Sequence, residues 1–191
     1  MTKRDPTRLK INKLEAQMMK DKAKLAKLRS QAKPEPVSDY NLQLPSGKSA
    51  KLSSLFGKKN ELILIHNMGV SCSYCTLWAD GFNGQIKHLE SRAAFALESP
   101  DSARTLGAFQ KKRGWNFPVV SSKGSSFRKD VGYENSDGDF VPGVSVFMKK
   151  NGKLFRVSDA TFGPGDNFCV TWDLFDLLPG GSGDWEPKFR Y

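Results

Sequence analysis

Glu61-Leu62-Ile63-Leu64-Ile65-His66-Asn67-Met68-Gly69-Val70-Ser71-Cys72-Ser73-Tyr74-Cys75 is the stretch that decides the fold of this 191-residue chain. Residues 61–66 form a continuous apolar run of strand length, the pattern of a strand buried on both faces. A pair of cysteines spaced Cys-x-x-Cys follows at once. Beyond it Leu77, Trp78, Phe82, Ile86 and Leu89 recur at a spacing of three and four, which predicts a helix. Gly81 and Gly84 lie inside that pattern and predict a kink or a break.

Further along, Ala93–Leu97 reads as a second buried strand. Ser99-Pro100-Asp101 then caps a helix that runs through Arg113 and stops at Gly114. Phe117–Val120 is a short strand and Ser125–Val131 a short helix. Val144–Met148 and Leu154–Val157, joined by Asn151-Gly152, carry a strong hairpin signal. Trp172–Leu178 predicts a terminal helix, after which Gly180–Gly183 opens a loose tail. On the other side, Asp39–Gln43 reads as a short strand, Pro45–Lys48 as a turn, and Leu52–Gly57 as a helical turn closed by glycine. A βαβ half followed by a ββα half is the thioredoxin plan, an α/β fold with a mixed central sheet flanked by helices. The expected organisation is a basic amphipathic N-terminal helix (1–36), a thioredoxin-like domain (37–180) and a C-terminal tail (181–191).

Composition agrees with a packed domain. Hydrophobic residues make up 38% of the chain and include thirteen Phe and four Trp, enough to exclude a disordered chain. The longest aliphatic run, Leu62–Ile65, is far short of a membrane span. Three cysteines are too few, and odd in number, for a secreted disulfide scaffold. No secretory or organellar signal is read, so a cytoplasmic location is expected.

The net charge of +10 suggests nucleic acid at first sight. Its distribution argues otherwise. Residues 1–33 hold eleven Lys/Arg against Asp5, Glu15 and Asp21, so the remaining 158 residues carry a net charge of only +2. The arm reads as one helix with Pro6 in its first turn and Pro34 and Pro36 beyond its end. Ile11, Leu14, Met18, Leu25 and Leu28 form an apolar stripe, interrupted by Asp21. Docking of that stripe on the body, or on a second subunit as a homodimer, is expected ahead of an anionic partner, and nucleic acid is not.

Cys72 and Cys75 stand where a buried strand turns into a helix. Free N–H groups and the helix dipole at that position favour a thiolate. Cys72 is therefore expected to be the nucleophile and Cys75, nearly one turn further and more buried, the resolving thiol. The substrate is expected to be a disulfide-containing protein or a small thiol, with no cofactor and no metal required. A zinc site would need Cys72, Cys75, Cys169 and either His66 or His88 together, without a second Cys-x-x-Cys to support it. Peroxide reduction is disfavoured, because Gly69 rather than Thr or Ser precedes Cys72 by three and no proline lies between 46 and 99. Two inert core cysteines are the bland alternative, and Cys169 is either core or a third redox thiol.

With these segments placed, the chain resembles the DUF899 family, thioredoxin-like proteins described as predicted dithiol-disulfide oxidoreductases. The resemblance runs through nearly the whole chain. Its most specific block is Cys72-Ser-Tyr-Cys75-Thr-Leu-Trp78-Ala79-Asp80-Gly81-Phe82-Asn83-Gly84, joined by Lys112-Arg113-Gly114-Trp115-Asn-Phe117-Pro118 and Pro142-Gly143-Val144-Ser145-Val146-Phe147. It implies a thioredoxin fold and a dithiol-disulfide oxidoreductase. Two positions depart from thioredoxin proper. Where thioredoxins place a cis-proline facing the cysteines, alignment on Asn151-Gly152 puts Val144, with Pro142 two residues early. Either Pro142 serves by a local shift, or the substrate-docking edge differs. Six residues before the first cysteine, where thioredoxins keep a buried carboxylate, stands His66. It reads either as a proton carrier for the Cys75 thiol or as a satisfied strand-end histidine. Asp80 is read as a structural cap or a neighbour of the pair. Trp115 is read as core or as lining a substrate groove. The reading from another class is a thioredoxin-fold binding or scaffold protein, its basic helix mediating dimerisation or anionic contacts.

Overall fold

Residues 5–191 are described in the computed structural model. In chain order they form α1 (Pro6–Gln31), β1 (Glu35–Val37), β2 (Asn41–Gln43), β3 (Ser49–Lys51), a 3-10 turn (Leu52–Phe56), β4 (Glu61–His66), α2 (Ser73–Arg92) and β5 (Ala94–Ser99). Then follow α3 (Ala103–Arg113), β6 (Val119–Ser121), α4 (Phe127–Asp130), β7 (Gly143–Lys150), β8 (Lys153–Thr161) and α5 (Val170–Phe175). The strands make one mixed sheet in the order β1-β8-β7-β4-β5-β6-β2-β3. β4 pairs parallel with β5 and β5 with β6, while β4–β7 and β7–β8 are antiparallel. This is the expected thioredoxin-like plan.

Side-chain alternation along β4 builds the two layers of the core. Ile63 and Ile65 face α2 and α3 together with Phe95, Leu97, Trp78 and Leu106. Leu62 and Leu64 face the other way, onto Leu52, Phe56, Phe127, Tyr133 and Phe147. The hairpin β7–β8 turns at Asn151 and Gly152, whose φ values of 51° and 73° fit the primed turn that Asn-Gly favours. Gly114 closes α3 at φ 68°, in the left-handed region that favours glycine.

Several local expectations are corrected. α2 runs unbroken through Gly81 and Gly84. Both glycines face open space, while Trp78, Ala79 and Ile86 are buried on the inner side, so tertiary packing outweighs the low helix propensity of glycine. The cap of α3 is Ser102, whose hydroxyl accepts from the Thr105 amide at 3.2 Å, and Asp101 is released for another task. The terminal helix is shorter than expected and spans Val170–Phe175. The tail beyond it is not loose: Trp185 packs edge-on against Phe175 and Trp172, and Phe189 against Phe109.

α1 is capped as its sequence directs, with the Asp5 carboxylate accepting from the Thr7 amide at 2.9 Å. None of its residues is buried. Lys3 and Arg4, two of the arm's basic residues, lie outside the described residues. Glu35 and Pro36, counted above with the arm, belong instead to β1, which pairs with β8.

Candidate functional site

Cys72 occupies the N-cap of α2, with extended backbone, and its Sγ accepts a hydrogen bond from the Cys75 amide at 3.0 Å. Strand β4 delivers the chain to this point and a tightly held loop turns it. Gly69 sits at φ +129°, a conformation that favours glycine. Its amide donates to Asn67 Oδ1 at 2.7 Å, and the Val70 amide donates to Asp101 Oδ2 at 2.8 Å. The Cys72 amide closes the turn on the Gly69 carbonyl at 3.0 Å. Thr76 fastens the first turn of the helix, its hydroxyl donating to the Cys72 carbonyl at 2.9 Å. Asn67 and Asp101 escape a sequence reading because their contacts are backbone amides across a loop, which no spacing announces.

The two sulfurs are set apart electrostatically. Cys72 is half-buried, and hydrogen bonding from Cys75 draws its pKa down to about 7, with burial opposing and the Cys75 and Tyr74 amides assisting. Cys75 is buried, and its thiol is pushed well up by the bond it shares with Cys72 and by desolvation. Its sulfur also accepts from the Met68 amide at 3.5 Å. Two adjacent thiols therefore differ in the sense a nucleophile and a reserve thiol require. All three cysteines are free thiols, and Cys169 is buried in the same core layer as Cys75 and Trp172.

His66 stands on the opposite face of the sheet, the face of Leu62 and Leu64. Its Nδ1 meets Glu98 Oε2 at 3.0 Å and its Nε2 meets Ser145 Oγ at 2.9 Å. A carboxylate only accepts, so Nδ1 carries the proton and Nε2 accepts from the serine. Burial lowers the His66 pKa despite the nearby carboxylate, which keeps the ring neutral. Both nitrogens are thus engaged, and neither bonds to a cysteine sulfur. The ring stacks on Tyr133 at a centroid separation of 3.7 Å.

Glu98 is the hub of this layer. Its carboxylate receives Arg128 Nη1 at 2.8 Å and the Ser122 hydroxyl, with no exposure to solvent. Burial opposes its charge, but Arg128 and His66 outweigh that and hold its pKa down. Arg128 also donates to the Asn67 carbonyl at 2.9 Å, so the network braces the residue that begins the cysteine loop.

The remaining sequence candidates separate. Pro142 borders, with Cys75, Trp78 and Phe162, a crevice too narrow for a water molecule, and its peptide bond is trans. Val144 pairs with Ile65 and lines an apolar cavity of about 250 Å³ with Phe82 and Phe162, under α2. Trp115 is not a groove residue. It is 4% exposed, stacked on Phe117, and its indole N–H donates to Asp80 Oδ1 at 2.8 Å. Asp80 also pairs with Arg113, so it ties α2 to α3. Among the described residues no three His, Cys, Asp or Glu side chains are grouped to hold a metal ion, and no helix is long and apolar enough to cross a membrane.

Comparison with solved structures returns peroxiredoxins. A cysteine-to-serine variant of PrxQ from Xylella fastidiosa superposes with a TM-score of 0.58 at 17% identity, over 69% of this chain and 87% of that one. Peroxidoxin BcpB from Mycobacterium tuberculosis gives 0.56 at 21% identity, over 67% and 84%. Reduced Prx3 from Vibrio vulnificus, in complex with hydrogen peroxide, gives 0.56 at 15%, over 71% and 90%. At these identities the likeness establishes the thioredoxin-like fold. No curated protein matches the chain. The family model described as a bacterial protein of unknown function, DUF899, matches residues 7–189. The strand, the Cys-x-x-Cys turn and the hairpin that carried the resemblance all lie within that match, and the chain belongs to the DUF899 family.

Proposed function

We propose that the protein is a dithiol-disulfide oxidoreductase in which Cys72 is the nucleophile and Cys75 the resolving thiol. The observation that carries this reading is the Cys75 amide directed at Cys72 Sγ, 3.0 Å away, in a helix N-cap. With a pKa of about 7, roughly half of Cys72 is thiolate at neutral pH. The thiolate attacks one sulfur of the substrate disulfide, forms a mixed disulfide and expels the first thiolate. Cys75 then loses its proton, attacks Cys72 Sγ and expels the second, leaving a Cys72–Cys75 disulfide and two electrons on the substrate. A dithiol reductant returns the pair to its starting state.

His66 enters this proposal as a positioning residue. It anchors Glu98, which with Arg128 holds the Asn67 carbonyl. Pro142, partly exposed beside Cys75, is the proposed surface against which a substrate strand docks, and Val144, buried between β4 and β8, supports it from beneath. The peroxiredoxin likeness supports the fold of such an enzyme. Gly69 in place of a hydroxyl residue weighs against peroxide as the substrate.

The test is reduction of bis(hydroxyethyl) disulfide by the prereduced protein. We expect one disulfide consumed per chain and a Cys72–Cys75 link by peptide mapping. A Cys72→Ser variant with undiminished turnover refutes the reading, and peroxide consumed faster than disulfide would replace it with peroxidase chemistry.

A second reading concerns α1. Leu14, Met18 and Leu28 are 63%, 58% and 55% exposed on a helix with no buried residue, which supports self-association through this arm. In the scaffold version of this reading, the cysteines are incidental to a dimer built on α1 or to anionic contacts made by its lysines.

A further inference from the structure

The segment from Val157 to Pro187 holds six acidic residues and no Lys or Arg, in a chain whose net charge is +10. The fold brings part of it beside the cysteines. A cleft of about 520 Å³ is lined by Tyr74, Trp172 and Trp185 as aromatic walls and by Asp176, Asp184 and Glu186. Tyr74 is one of the two residues between Cys72 and Cys75, so the cleft adjoins the cysteine turn. The tail described above, folded back through Trp185, supplies its far side.

Three features of the cleft point to a ligand. Its carboxylates at 176, 184 and 186 are exposed and form no ion pair among the described residues. The indole N–H of Trp172, itself 8% exposed, has no hydrogen-bond acceptor among the described residues. Tyr74 and Trp185 both pack on Trp172, at centroid separations of 6.2 Å and 6.0 Å, and aromatic rings lining a cleft attract a cation through their quadrupole.

Resting on the dithiol reading above, we propose that this cleft selects disulfide substrates that carry a positive charge next to the sulfurs, as in a cystine flanked by Lys or Arg. The cation lies among Asp176, Asp184 and Glu186 over the aromatic walls. The disulfide is thereby presented to Cys72, which expels the first thiolate as described, and Cys75 expels the second. The long-range field of a +10 protein repels cations, so a preference for them can only arise locally.

The experiment uses the full chain, reduced with dithiothreitol and then freed of it. Second-order rates are measured with cystamine (dicationic), bis(hydroxyethyl) disulfide (neutral) and dithiodipropionate (dianionic), each divided by the rate for mercaptoethanol thiolate. We expect the normalised rate to be about tenfold higher for cystamine than for the neutral disulfide, and lower again for the dianion. The ratio should collapse toward one in Asp184→Asn/Glu186→Gln and invert in Asp184→Lys/Glu186→Lys. A ratio near one in the native chain, or one unmoved by these substitutions, overturns the cleft proposal. Failure to reduce the neutral disulfide overturns the dithiol reading instead. Saturable quenching of tryptophan fluorescence by cystamine in Cys72→Ser/Cys75→Ser tests the cleft without turnover, and equal quenching by dithiodipropionate refutes it.

Discussion

The amide of Cys75 and the sulfur of Cys72 lie 3.0 Å apart, one closing the N-terminus of α2 upon the other. A hydrogen bond of this kind strengthens as the thiol becomes a thiolate. Alkylation of the reduced protein by iodoacetamide should therefore titrate with a midpoint near pH 7 at Cys72, while Cys75 stays unmodified to alkaline pH. Peptide mapping over a pH series checks it, and a midpoint at the value of a free thiol contradicts it.

The same lowered pKa has a consequence for stability. The folded value of about 7 lies below the unfolded value of 9.0, so the thiolate's contribution is fully present above pH 9 and is lost as pH falls through 7. Urea denaturation of the reduced protein should show stability rising across that window. Cys72→Ser should remove the rise, and a slope unchanged in the variant would refute the assignment.

Glu98 and Arg128 are a buried ion pair, 0% and 2% exposed. Removing one partner leaves the other charge without compensation, so Glu98→Gln should cost about 3–5 kcal/mol of stability by denaturant titration. A cost below about 1 kcal/mol would show that the pair is not a brace. The depressed pKa values of Glu98 and His66 also fix the acid limb. Their contributions are present above the unfolded values of 4.5 and 6.5 and disappear as pH falls. On the acid side stability should therefore decline below pH 6.5 ahead of the Glu98 step, and His66→Asn should flatten that earlier step.

Gly143 begins β7 where a side chain has no room. A Cβ there would overlap the Ala160 carbonyl and the Tyr133 ring. Gly143→Ala should destabilise by about 1–3 kcal/mol, through displacement of the hairpin from Tyr133. An unchanged thermal midpoint would contradict it.

Deletion of residues 1–33 removes no buried residue among those described. The remaining domain should keep its thermal midpoint within about 4 °C, equivalent to less than ~1 kcal/mol, while sedimentation velocity should show loss of self-association. Loss of the fold on deletion, or unchanged association, would refute a role for the arm as a separate interaction element.

The strand-turn-helix unit is legible in sequence because local signals agree there: an uninterrupted apolar run, a Cys-x-x-Cys, then helical periodicity. The hairpin is legible because Asn151-Gly152 supplies the two positive φ angles its turn needs. Glu98 is different. It follows Ala-Phe-Ala-Leu in a buried strand, and such a charge demands a partner. That partner, Arg128, lies 30 residues away, and no periodicity connects them. β1 is hidden for a related reason, since Glu35-Pro36-Val37 is too short for a pattern and gains its strand only by pairing with β8. At the site, Cys72 and Cys75 are readable as a pair, but Asn67 and Asp101 act through backbone amides. Trp115 misled because an aromatic beside a glycine fits a groove as well as a core, and only Asp80 decides between them.

The placement of β1 and β3 at the two rims of the sheet bears on how this protein can assemble. Each rim strand is three residues long; Pro36 sits in one and Lys51 ends the other. Short rims carrying proline and charge make poor templates for an added strand. The domain is thus guarded against growing edge to edge into fibres. The arm beyond β1, about 39 Å of helix at 1.5 Å per residue, leaves from one of these guarded rims. The self-association proposed for α1 would then fall to a helical element that can associate and part without opening the sheet.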